Sequence, residues 1–415
     1  MRVGVLLQRT LFGAVVASLA ASAATANDHP GKTIDFAMVA MVPAIYQTAD
    51  AKLECPAGLH QTNKDNWLAQ YPTEQEQAAF IEKRIHLAPY GAGADHPEYF
   101  MQFRGPQGQI STFNPELFKD LPLREIQSKV GYGLNLDGTS DGRATPKTCK
   151  HEKFAAADGP PVAIDNQIYR ILGCAPGWRK GGYKTDRRRR EQVAQVMNRV
   201  LFRVSDVDDE MNDDDVKVTV YKGIDPIQTD GAGKAVPGGQ QRIDVRYTKY
   251  TSETHGKIVN GVLTTDPVDQ YFAVWTVQTP AERYMRGMRY QLTLNPTGAK
   301  GLAAGYEDLR YWWMNYAQSY QIGVDALGMW DPPALYEAAN RLADGYLDPT
   351  TGRCTAISFA YDTELVRANI VMPRSDDPLV TNPSLDAAKR TVQPSPQARG
   401  ESSSQVVAGK VSNSR

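Results

Sequence analysis

Met288-Arg-Tyr-Gln-Leu-Thr-Leu-Asn295 places Met288, Tyr290, Leu292 and Leu294 on one side of an extended chain and polar residues on all four positions between and after them. A period of two is the signature of a strand with one buried face. The same alternation runs through Lys217–Gly223 (KVTVYKG), with Val218 and Val220, and through Arg242–Tyr250 (RIDVRYTKY), with Ile243, Val245 and Tyr247. Lys257–Thr265 (KIVNGVLTT) and Gln270–Val277 (QYFAVWTV) add two more apolar segments. At least five strands separated by Gly, Pro and Asp-rich turns predict a mainly β protein. The expected architecture is an antiparallel β-sandwich, jelly-roll or concanavalin-like, with a few peripheral helices.

Outward from this block, Thr33–Tyr46 (TIDFAMVAMVPAIY) reads as one or two apolar strands, and Thr355–Tyr361 (TAISFAY) as a closing strand. Helices are expected over 73–87, over 306–320 and after the cap-and-proline signal Asp331-Pro332-Pro333. A further helix is expected over 187–204, because Val193, Val196, Met197, Val200, Leu201 and Val204 share one helical face, with Asp186 as N-cap. The division expected is 27–125 as N-terminal strands and helix packed on the main domain, 126–372 as the sandwich, and 373–415 as a disordered tail poor in apolar periodicity.

The compartment is indicated at the start. Arg2 and Arg9 flank the apolar run LFGAVVASLA, and Ala24-Thr25-Ala26 closes an export-signal pattern over 1–26. Periplasmic or extracellular location follows, with no transmembrane segment, since no later stretch holds 18 uninterrupted apolar residues. A net charge of −1 argues against a nucleic-acid partner. Cys55, Cys149, Cys174 and Cys354 form an even set for an oxidising compartment. Of three connectivities, Cys55–Cys174 with Cys149–Cys354 is preferred, and each loop would stabilise by roughly 4–5 kcal/mol on a chain-entropy basis.

Gly131–Gly142 (GYGLNLDGTSDG) carries the most specific chemistry. Calcium wants six to eight oxygens, so its loops combine Asp, Asn and Gly. Asn135, Asp137 and Asp141 supply three side chains, and Asp165 and Asn166 could fold back to join them around Ca2+. The spacing is not that of an EF-hand, and Asn, Asp and Gly are also ordinary turn residues. The order GLNLDG, a cysteine, ADG and IDNQ resembles a pattern of exported bacterial proteins of unknown function, written L-D/N-L-D-G, P-D-G, G-I-D-N-Q. VYKGID, PGG and GYEDL extend that likeness over about 125–310, with Ala163 in place of the glycine before Ile164. The resemblance implies an exported, β-rich protein and transfers no activity or catalytic residue.

Charges oppose the dipole of the expected 187–204 helix. Arg187, Arg188, Arg189 and Arg190 open it, and Asp206–Asp215 (DVDDEMNDDD) follow it. The arginines suggest an anion site, or else a solvated face or pairing with acids elsewhere in the fold. Asp213, Asp214 and Asp215, with Asp225 and Asp230, suggest a second cation site or a polar turn. No nucleophile elbow, phosphate loop, dinucleotide fingerprint or H-E-x-x-H occurs. His151 and His255 read as surface or satisfied polar residues. Glu307 with Asp308, or Asp266 with Asp269, would serve a polysaccharide hydrolase only if they faced each other across a cleft. Leu309, Trp312, Trp313, Tyr316 and Tyr320 share a helical face and read as core packing. The function expected is a calcium-stabilised binding or accessory module with a carbohydrate or envelope-protein partner; the alternative is that hydrolase.

Overall fold

The computed structural model describes residues 31–59, 73–85, 113–117, 123–159, 162–276, 279–319 and 332–374. The export-signal segment 1–26 and nearly all of the tail lie outside the described residues. The expected sandwich is not what forms. Eight antiparallel strands close into a barrel: β1 (Lys32–Pro43), β2 (Val200–Val207), β3 (Asn212–Lys222), β4 (Ser252–Val259), β5 (Val262–Thr265), β6 (Thr279–Asn295), β7 (Gly298–Asp308) and β8 (Arg353–Val371).

Each strand pairs with its neighbour in sequence, and β1 pairs on one edge with β2 (Ala37 with Leu201) and on the other with β8 (Ala37 with Val366). That second pairing removes both edges, which an open sandwich leaves exposed. Alternation is the same in both architectures, so closure rests on this long-range pair. β1 is therefore a stave of the barrel and not an element laid against it. Register shifts in β1, β3 and β6 mark bulges that bend these strands around the curve.

Eight strands leave an interior just wide enough for side chains. Phe36 and Met38 from β1, Phe202 and Val204 from β2, Val218 from β3, Tyr290 and Leu292 from β6, and Phe359 from β8 fill it. Each fully buried large apolar side chain contributes about 1.5–3 kcal/mol. Near one end, Arg283 donates to both carboxylate oxygens of Glu307 at 2.8 and 3.0 Å, and the Tyr361 hydroxyl donates to the same group at 3.1 Å. Within β7, Gly301 is required: a Cβ there would stand 2.0 Å from the Gln291 carbonyl oxygen.

The barrel has two unlike ends. Connections at the β1 N-terminal end are short, and Asn260-Gly261, with φ of 51° and 74°, makes the tight hairpin between β4 and β5. The four long connections, 44–199, 223–251, 266–278 and 309–352, all leave from the opposite end. They carry the helices α1 (Gln167–Leu172), α2 (Tyr183–Ala194), α3 (Leu309–Ser319) and α4 (Pro332–Leu342). Ile168, Ile171 and Leu335 join the main core from these connections, as do the half-buried Trp312 and Trp313 of α3.

The helix expected over 187–204 is corrected. α2 runs from Tyr183 to Ala194, and Val200, Leu201 and Val204 belong to β2. Val200, Phe202 and Val204 also alternate, and pairing with both β1 and β3 outweighs a helical pattern. The segment Val268–Thr276 is a strand as expected, but it pairs only with β6 and lies off the barrel path. Of Arg242–Tyr250, only Arg242 is in a strand; Thr248–Tyr250 forms a short 3-10 turn.

Candidate functional site: a buried ionic knot on the barrel wall

Residues 130–166 form a layer over the outward face of β7 and β8. Leu136, with half-buried Tyr132 and Leu134, packs on Ala304, Tyr306, Ala356 and Ala360. A small sheet of Val130–Gly131, Phe154–Ala156 and Ala163–Ile164 braces the layer. Short side chains on β7 and β8 let it approach closely.

The turn motif folds here. Asn135 Oδ1 accepts from the Gly138 amide at 2.9 Å, and Asp137 Oδ1 from the Thr139 amide at 2.8 Å. Gly138 takes φ 74°, which glycine adopts without strain. The turn aims Asn135 and Asp137 toward Asp165, whose Oδ2 accepts from the Leu136 amide at 2.7 Å. Three of the five expected cation ligands therefore converge. The cation between them is the Lys153 ammonium, 2.9 Å from Asn135 Oδ1, 2.5 Å from Asp137 Oδ1 and 2.9 Å from Asp165 Oδ1. Its side chain is 4% exposed, and both carboxylates are sealed from solvent.

The other two expected ligands are elsewhere. Asp141 is exposed and accepts from the Arg143 amide at 3.2 Å. Asn166 uses its amide as a stitch: Nδ2 donates to the carbonyls of Ala44 and Tyr132, and Oδ1 accepts from the Ala360 amide. The neighbouring Gln167 amide donates to Ser358 Oγ at 2.7 Å. Arg289 of β6 donates to the carbonyls of Asn135 and Leu136, at 2.9 and 3.1 Å. The I-D-N-Q tetrad is thus a seam between layer and barrel.

His151 completes the knot. Its Nδ1 lies 2.9 Å from the Cys149 carbonyl oxygen, and its Nε2 lies 2.7 Å from Asp165 Oδ1. Asp344, fully buried at the edge of the strand Gly345–Asp348, brings Oδ2 to 3.8 Å from the same Nε2. Burial favours neutral imidazole, but the Asp165 hydrogen bond and the Asp344 field outweigh it and raise the His151 pKa to about 9. Burial raises Asp344 to about 7, against the opposing pull of His151 and Ser358. Burial also pushes Asp165 upward, yet hydrogen bonds from His151 and Lys153 leave it below the ordinary carboxylate range.

The structure joins Cys55 to Cys174 and Cys149 to Cys354. The second bond fixes the chain entering the knot to β8, and the Cys149 amide donates to the Asp344 carbonyl at 2.9 Å. Both bonds are compatible with an exported protein. Among the described residues, no helix is long and apolar enough to cross a membrane.

The remaining expected residues do not assemble into sites. Arg187 and Arg188 turn to Glu191 on α2, and Arg189 to Asp362 and Glu364 of β8. The helix begins at Tyr183, so the arginines, Arg190 included, do not form its N-terminus. Asp213 accepts backbone amides in the turn from β2 to β3, and Asp225 pairs with Arg242. Asp230 closes a turn onto Ala232 and Lys234. Exposed His255 pairs with Asp215. Glu307 is bound to Arg283, and Asp308 caps α3 through the Arg310 amide. Asp269 accepts from the Tyr284 hydroxyl and the Gly287 amide, whereas Asp266 is exposed.

A second feature lies where the long connections gather. Met197, Lys222, Asp244, Arg246, Tyr247, Tyr250 and Glu282 line a cavity of about 410 Å³. Burial lowers the Lys222 pKa against the opposing field of Asp244, 3.7 Å away. Tyr250 donates to Glu282 at 2.5 Å, and Lys249 Nζ lies 2.6 Å from that carboxylate. No cue in the sequence marked this cavity, because its walls come from four separated segments. Comparison with protein-family models, curated proteins and solved structures finds no match to this chain.

Proposed function

We propose that this chain is an exported, disulfide-clamped barrel that serves as a binding module for acidic carbohydrate, with its site at the mouth bearing the long connections. The observation that carries this reading is the cavity beside Lys222, Arg246, Tyr247 and Tyr250. Its volume lies in the range of small-ligand sites, and barrel mouths are a recurrent location for them. The barrel interior is occupied by side chains, which leaves the mouth as the place for a ligand. Tyr247 and Tyr250 offer ring faces to a sugar, and Lys222, Arg246 and Lys249 together carry more positive charge than Asp244 and Glu282 offset.

The buried knot supports a structural part in this scheme. Asp137 and Asp165 are closed off from solvent and already engaged, and Asp344 is fully buried, so substrate has no route to them in this conformation. The carboxylates considered for hydrolysis are engaged with arginine or backbone donors or, for Asp266, exposed. A carbohydrate array of neutral and uronic-acid oligosaccharides tests the reading. Binding to the acidic set, weakened about tenfold by Arg246→Ala, is expected for the loss of one charge-assisted contact. Binding indifferent to Arg246→Ala, or none to any acidic oligosaccharide, overturns it.

A further inference from the structure

We infer that Asp137, His151, Asp165 and Asp344 form a four-coordinate site for a divalent transition-metal ion of the zinc class, gathered around His151 Nε2. This site is separate from the mouth cavity and does not depend on the carbohydrate reading.

The geometry begins with His151. Its Nδ1 faces the Cys149 carbonyl at 2.9 Å and donates to it, which turns Nε2 toward carboxylates. A neutral imidazole in that tautomer would aim a lone pair at three anionic groups. Something positive must sit there, a proton or a metal ion. Metal-bound histidines characteristically donate their second ring N–H to a carbonyl or carboxylate, which is this arrangement.

Three oxygens surround Nε2: Asp165 Oδ1 at 2.7 Å, Asp344 Oδ2 at 3.8 Å and Asp137 Oδ2 at 3.9 Å. With metal–ligand bonds of about 2.0–2.1 Å, neighbouring donors of a tetrahedron stand about 3.3–3.4 Å apart. The three separations from Nε2 bracket that value; Asp137, His151 and Asp165 already bring one donor atom each within 4.8 Å of one another, and Asp344 closes in from beyond that distance when the ion binds.

Each carboxylate also divides its labour. Asp137 Oδ1 is held by Lys153 and the Thr139 amide, Asp165 Oδ2 by the Leu136 amide, and Asp344 Oδ1 by the Ser358 amide at 2.7 Å. The other oxygen of each faces His151, although Asp165 Oδ1 also meets Lys153 at 2.9 Å and Asp137 Oδ2 also accepts from the Thr139 hydroxyl at 3.0 Å. Asp344 Oδ2 is the independent pointer: it is fully buried and has no hydrogen-bond partner. An oxygen so placed is costly unless a donor or cation reaches it.

Charge supports the same conclusion. Three carboxylates and one ammonium leave an excess of two negative charges, which a divalent ion beside neutral imidazole cancels. Calcium would seek six or more oxygens, whereas three carboxylates and an imidazole suit the zinc class. The enclosure matches a structural site whose ligands are all supplied by protein.

The test is elemental analysis of the full chain refolded with Zn2+ and dialysed, together with the visible spectrum of the Co2+-loaded protein. About one ion per chain and the intense d–d bands of four-coordinate cobalt are expected. Asp344→Asn, which keeps the Ser358 contact, and His151→Ala should each lower metal affinity at least about tenfold. Circular dichroism confirms that each variant is folded. A folded wild type without bound Zn2+ or a cobalt spectrum overturns the proposal. Metal retained at full affinity by folded Asp344→Asn also overturns it.

Discussion

Lys153 Nζ lies 2.5 Å from Asp137 Oδ1, with both side chains almost sealed from water on the outer wall of the barrel. The ion pair is shared: the same ammonium also reaches Asp165 and Asn135, so one cation holds the turn and the I-D-N-Q seam together.

Removing that cation strands two buried carboxylates. Lys153→Met should lower unfolding free energy by about 3–5 kcal/mol, as expected for breaking a buried pair from one side. Adding Asp137→Asn to Lys153→Met should recover part of the loss, because one uncompensated charge is gone. Urea titration of both variants measures it, and a loss under about 1 kcal/mol for Lys153→Met contradicts the buried-pair account.

Stability of the metal-free chain should depend on pH through this knot. His151 binds its proton more tightly folded, at about 9 against 6.5, so its contribution is complete below 6.5 and is lost as pH rises through about 9. Asp344, raised from 3.8 to about 7, acts in the same direction and weakens the fold as pH rises through about 7. Asp165 is lowered, so its contribution holds above its ordinary 3.8 and is lost on acidification through the depressed folded value. Thermal unfolding should therefore fall by about 5 °C or more between about pH 6 and about pH 9.5, and His151→Gln should flatten that slope. An unchanged slope in the variant counts against the assignment.

The Cys149–Cys354 bond aligns the Cys149 carbonyl with His151 and its amide with Asp344. Cys149→Ser with Cys354→Ser should cost about 2–5 kcal/mol. The amides of 131–151 should lose exchange protection, while those of β2 and β3, far from the bond around the barrel, keep theirs. Equal loss in all of them would show that the bond supports the whole barrel.

Inside the barrel, Glu307 and Arg283 make a two-point contact. Glu307→Ala should cost about 3–5 kcal/mol by leaving the guanidinium buried, whereas Arg283→Met with Glu307→Leu should come within about 1–2 kcal/mol of wild type. Denaturant midpoints of the two variants decide the matter. If the double variant is as unstable as the single, the pair is needed for more than charge compensation.

Much of the strand content was legible because residues such as Tyr290 and Leu292 alternate with polar neighbours on a half-buried face. Closure was not, since it depends on hydrogen bonds between Ala37 and Val366, and identical alternation suits a sandwich. Val200 and Val204 misled because they fit a helical stripe as well as one strand face. In the knot, Asn135, Asp137 and Asp165 were found through Asn, Asp and Gly turn chemistry. Lys153, His151 and Asp344 have no such local signature; Lys153, just before the short strand Phe154–Ala156, meets its partners only when the layer folds onto the wall. The mouth cavity was invisible for the same reason, its charged and aromatic walls meeting only when the barrel gathers its connections.

Hydrogen exchange of Lys153→Met against wild type, read peptide by peptide, tests the central claim that an ionic knot fastens the 130–166 layer to a closed barrel. Faster exchange at 130–159 and 162–166, with β2 and β3 still protected, is the predicted result. Unaltered protection of the layer, or simultaneous loss in layer and barrel alike, contradicts it.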